Sequence, residues 1–118
     1  MRVQLEGQAL RLRIDETELT RLLAGDAVEN RTQLPDGQVE AQQVRLASCI
    51  AWRRHQAGWR IELPEAQVRA LSERLPSRDG LQFELAVTDG HALQLLFDVD
   101  VRDSARKRLR KPAEGDAS

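Results

Sequence analysis

Two stretches of this chain have the same pattern. Arg11-Leu12-Arg13-Ile14-Asp15-Glu16-Thr17-Glu18-Leu19 and Arg60-Ile61-Glu62-Leu63-Pro64-Glu65-Ala66-Gln67-Val68 each read as a strand that runs straight into a helix. At their offset of 49 positions, apolar residues fall on apolar residues: Val3 on Trp52, Leu10 on Trp59, Leu12 on Ile61, Ile14 on Leu63, Leu19 on Val68 and Leu22 on Leu71. A repeated unit constrains the architecture before any single element is assigned, because whatever one copy does the other must be able to do beside it.

Within each copy the periodicity predicts β-β-α-β-β. Val3 and Leu5 alternate with polar residues, Gly7-Gln8 turns the chain, and Leu10, Leu12 and Ile14 alternate again. Asp15 with Glu18 three residues later is a capping box, Leu19, Leu22 and Leu23 form an apolar stripe, and Gly25 stops the helix. Ala27 to Leu34 reads as a polar strand suited to a sheet edge. Pro35-Asp36-Gly37 is a hairpin turn, and Gln38 to Leu46 is the return strand.

The second copy begins at about residue 47. Val44, Leu46, Ile50 and Trp52 share one parity, with small Ala47, Cys49 and Ala51 on the other, as in one continuous strand with both faces covered. His55 to Gly58 turns the chain, and Trp59, Ile61 and Leu63 form the next strand. Pro64 suits a first helical position, Val68, Leu71 and Leu75 are the buried stripe, and Pro76 ends the helix. Leu81, Phe83, Leu85 and Val87 alternate, Asp89-Gly90 turns, and Leu93 to Val101 alternates longest of all. The expected fold is α+β, a tandem duplication of a ββαββ unit (1–46 and 47–101). It forms a mostly antiparallel sheet or flattened barrel with two short helices.

Leu, Ile, Val and Phe make up about a quarter of the 118 residues, enough to sustain one core but not two. No apolar run is long enough for a membrane span, and the opening Met-Arg-Val-Gln-Leu-Glu-Gly has no signal-peptide pattern, so a cytoplasmic protein is expected. Cys49 is the single cysteine, which excludes an internal disulfide and a cysteine-based zinc site. Its apolar surroundings predict a buried, inert thiol, and the two histidines, His55 and His91, fall at hairpin turns.

Residues 1–101 carry a net charge of −4 and residues 102–118 one of +3. The segment after Val101 reads as a disordered basic tail, with Arg106, Lys107, Arg108, Arg110 and Lys111 in six consecutive positions. Such a cluster can neutralise phosphates, but no aromatic residue is interleaved to stack on bases, and the acidic remainder opposes a nucleic-acid surface.

The strands place a second set of candidates on their polar faces. Asp98 and Asp100 are i and i+2 on the last strand, and Arg11, Arg13 and Arg60 share the polar faces of the second and sixth strands, with Glu62 and Glu84 near them. Together these could hold a phosphate ligand with its metal, or could be the ordinary charged decoration of a sheet's outer face. Trp52 and Trp59 flank the central turn and are expected to face each other as a cross-strand pair in the core, with a ligand platform as the alternative. No glycine-rich phosphate loop, Gly-x-Ser-x-Gly elbow or His-x-x-x-His pair is present, so no catalytic residue and no cofactor is expected.

The opening quarter, with Gly7, Leu10, Arg11, Leu12, Arg13 and the helix start Asp15 to Leu19, resembles a family of short bacterial proteins of unknown function. That resemblance implies no catalytic residue. The duplicated plan is also similar to the CYTH triphosphate-tunnel phosphohydrolases, whose eight strands close into a barrel with Glu-x-Glu-x-Lys on the first strand. Here that strand reads Val3-Gln4-Leu5-Glu6-Gly7, and Lys107 is the first lysine, so the phosphohydrolase motif is missing. The expected function is a small non-enzymatic binding or interaction protein that self-associates through an edge strand. The alternatives are a phosphate-ligand binder or phosphohydrolase acting on the polar face, and nucleic-acid binding through the tail.

Overall fold

The computed structural model describes residues 1–77 and 79–101, which form eight strands and two helices. In chain order these are β1 (Arg2–Glu6), β2 (Ala9–Asp15), α1 (Glu16–Leu23), β3 (Val28–Gln33), β4 (Val39–Ala47), β5 (Ala51–His55), β6 (Gly58–Pro64), α2 (Glu65–Glu73), β7 (Leu81–Ala86) and β8 (Ala92–Asp100). Both halves are therefore ββαββ.

The strands form two four-stranded sheets, β1-β2-β8-β7 and β3-β4-β6-β5, and neither closes into a barrel. Each half gives one hairpin to each sheet. The hairpins are antiparallel, and the central pairs that join the halves, β2 with β8 and β4 with β6, are parallel. Neither half contains a sheet of its own beyond a two-stranded hairpin, which is marginal in water. The duplication is thus interlaced, and each sheet is completed only by hairpins from both copies. β3 lies at an edge, which accounts for its polar sequence.

Alternation turns one face of each sheet inward. Leu10, Leu12 and Ile14 of β2 lie beside Leu95, Phe97 and Val99 of β8, while Ile61 and Leu63 of β6 lie beside Val44 and Leu46 of β4. All but Leu46 are buried, and with Leu19, Leu22, Val68 and Leu71 from the helices they form one cluster. α1 and α2 touch each other and cover the end toward which β2 and β6 run. α1 carries its capping box: Asp15 Oδ1 accepts from the Glu18 N–H at 2.7 Å, and Glu18 Oε1 accepts from the Asp15 N–H at 3.0 Å. Gly25 ends α1 at a φ of 100°. Pro64 is the last residue of β6, and α2 starts one residue later without a side-chain cap.

Two local expectations are corrected. The stretch from Val44 to Trp52 is not one strand: β4 ends at Ala47, the chain bends at Ser48-Cys49, and β5 begins at Ala51. Cys49 is consequently exposed, because it sits on the bend that passes the chain from an inner strand to the outer one. No helix among the described residues is long and apolar enough to cross a membrane.

Candidate functional site

Because Leu10, Leu12 and Ile14 point inward, Arg11 and Arg13 of β2 point outward. The parallel register sets Asp98 of β8 beside Arg13. Arg11 Nη2 donates to Asp98 Oδ2 at 2.7 Å, and Arg13 Nε lies 3.4 Å from Asp98 Oδ1. One carboxylate thus forms ion pairs with two guanidinium groups, but only Oδ2 accepts a hydrogen bond; Asp98 Oδ1, Arg11 Nε and Arg13 Nε are buried without a hydrogen-bond partner among the described residues. Asp100, one step further along that face, lies beside Asp15.

Arg60 does not join them. It projects from the outer face of the other sheet, where its Nε donates to Gln43 Oε1 at 2.9 Å and its Nη2 lies 3.2 Å from His55 Nε2. The core separates these two outer faces, so Arg11, Arg13 and Asp98 meet while Arg60 stays apart. Glu62 is on the Arg60 side and pairs with Arg53 at 3.2 Å. Glu84 receives a hydrogen bond from Gln94. No group of three or more His, Cys, Asp or Glu able to hold a metal ion occurs among the described residues. The basic cluster Arg106, Lys107, Arg108, Arg110 and Lys111 lies outside the described residues.

The helices fill one end of the space between the sheets; the other end, at the hairpin tips, is an apolar cleft. Its volume is about 530 Å³, within the range of small-ligand sites. Leu5, Leu10, Leu85 and Leu93 line it from the first sheet, Trp52, Arg54 and Trp59 from the second, and Ala86 to Thr88 close the rim. Leu5 is 67% exposed and Trp52 39%, so the lining opens to solvent. The tryptophans are not directly opposite each other: Trp52 pairs with Ile61, and Trp59 pairs with Arg54. They are diagonal neighbours on the inner face, and the Arg54 guanidinium lies over the Trp52 ring, 5.1 Å from its centroid.

The two copies diverge at this cleft. With the first hairpins matched at 49 positions and the second, like their Asp-Gly turns, at 53, Leu5 corresponds to Arg54, Leu85 to Thr32 and Leu93 to Glu40. At the mid-strand positions both copies are apolar: Leu12 corresponds to Ile61 and Phe97 to Val44, and all four are buried. Folding explains the matched core. It does not require apolar residues at one tip where the other tip is polar. Periodicity alone placed Leu5, Leu85 and Leu93 on core faces, and the missing signal was this asymmetry between the copies.

No family model, no curated protein and no solved structure matches this chain.

Proposed function

We propose that this is a small non-enzymatic binding protein that takes the apolar part of its ligand into the cleft at the hairpin tips. The observation that carries this reading is the lining itself: among its ten residues the only charged side chain is Arg54, and none is a carboxylate, imidazole or thiol that could serve as general base or nucleophile. Aromatic and aliphatic walls around a few polar groups are the ordinary make-up of a small-ligand site. The rival reading, a phosphate ligand on the polar faces, loses support because Asp98 is already engaged by both Arg11 and Arg13 and Arg60 lies on the other sheet.

The test is a titration with N-phenyl-1-naphthylamine, a neutral apolar fluorophore that accepts energy from tryptophan. Trp52 and Trp59 are the two tryptophans of the chain and both line the cleft, so saturable quenching of their emission reports its occupancy. Leu5→Asp places a charge in the lining at an exposed position that folding tolerates, and is expected to abolish saturation. The reading fails if the wild type shows no saturable transfer, or if Leu5→Asp binds the probe as well as the wild type does.

A further inference from the structure

We infer that the ligand of the cleft is a monomeric amphiphile with an anionic head group, seated on Arg54; this rests on the reading of the cleft as the binding site. Arg54 stands on the edge strand β5, with its inner face turned to the cleft and its guanidinium laid over Trp52. Among the described residues no carboxylate forms a salt bridge with it, and it is the one cation in the cleft lining. The neighbouring acids are directed elsewhere. Glu6 is on the face of β1 opposite Leu5, and Asp89, next to the rim residue Thr88, is bound by His91 at 2.9 Å. Glu62, across the hairpin, is held on the outer face by Arg53.

The cleft therefore has apolar walls and a single unneutralised cation at its mouth. A guanidinium stacked on an aromatic ring retains its edge N–H groups as a flat fork that matches an anionic head. The other copy has no such combination, since the position matching Arg54 is Leu5. An apolar chain would fill the space between Leu5, Leu85, Leu93 and Trp59, and its anionic end would meet Arg54 where the cleft opens.

The experiment measures displacement of N-phenyl-1-naphthylamine by decanoate, decanol and decyltrimethylammonium, all below their micelle concentrations. Decanoate is expected to displace the probe about tenfold more tightly than decanol, the effect of one charge-assisted hydrogen bond, with the ammonium weakest. In Arg54→Gln the decanoate-to-decanol ratio should fall to near one, and in Arg54→Lys it should largely persist. Equal affinities for decanoate and decanol in the wild type would overturn the anionic head group and leave the cleft reading standing. If the probe binds and none of the three displaces it, a chain-bearing ligand is excluded and this inference fails, while the cleft reading stands on the probe itself. Co-sedimentation with phosphatidylglycerol vesicles, without displacement by monomeric decanoate, would overturn the monomeric ligand in favour of a membrane surface.

Discussion

Gly58 opens β6 at the point where that strand meets β4, and replacing it with alanine tests the interlaced topology directly. A Cβ on Gly58 would lie 1.7 Å from the carbonyl oxygen of Ala41 and 2.7 Å from its carbon. Both are backbone atoms of the parallel partner, in register at Ala41↔Gly58, so no side chain can swing aside. Real Cβ contacts essentially never fall under 3.0 Å, so the strands must part by more than 1 Å here. Overpacking of this kind costs about 1–3 kcal/mol. Loss of the adjacent Ala41 N–H to Ala57 hydrogen bond adds about 1 kcal/mol, for a sum near 3 kcal/mol.

Urea denaturation followed by tryptophan emission measures this loss, and Trp59, the next residue, should also show a changed native spectrum. Gly7→Ala is the control. Its Cβ would meet nothing within 4 Å, although its φ of 56° is unfavourable for alanine, so it should cost only about 1–2 kcal/mol. A Gly58→Ala variant within 0.5 kcal/mol of the wild type would refute the close parallel contact between β4 and β6, and with it the exchange of hairpins between the halves.

Gln56 occupies the turn position equivalent to Gly7 and has a φ of 49°. Gln56→Gly should therefore stabilise the protein by roughly 0.5–1 kcal/mol in the same urea assay, relief of the left-handed strain being partly offset by glycine's greater unfolded-state entropy. Asp98→Asn leaves Arg11 and Arg13 without their shared carboxylate. The Arg11 side chain is 39% exposed, and solvent screening brings the expected cost down to about 1–2 kcal/mol, whereas Glu65→Gln at the exposed Arg69 pair should change stability by no more than about 0.5 kcal/mol. The Asp89 carboxyl is held below its ordinary 3.8, first by the His91 backbone N–H and then by the His91 ring. Its contribution to the β7–β8 turn is thus complete above 3.8 and lost as pH falls through the lowered value. An NMR titration of the Asp89 carboxyl carbon should show a midpoint under 3.8 that only partly recovers in His91→Ala.

Local chemistry was legible wherever a few neighbouring residues suffice to decide it. The alternation of Leu10, Leu12 and Ile14, the Asp15–Glu18 capping box, the stop at Gly25 and the polar edge strand β3 each follow from contacts within a handful of positions. The bend at Ser48-Cys49 was not legible, because the parity of Val44, Leu46, Ile50 and Trp52 runs straight across it and only the separate placement of β4 and β5 breaks the strand. The partial clustering of the polar candidates has the same cause. Arg11 and Arg60 match in sequence, but strand alternation in two different sheets sends them to opposite sides of one core.

The sequence by itself determined that there are two ββαββ copies, which strand residues share the inward faces, and where the hairpin turns and helix starts fall. Only the tertiary structure decided that each copy divides its hairpins between two sheets, since the parallel pairs β2–β8 and β4–β6 join distant residues whose hydrogen bonds are main-chain and carry no side-chain signature. The cleft belongs to that second category. Alternation marks a residue as facing inward, but whether helices or solvent fill the space it faces depends on which end of the sandwich the helices occupy.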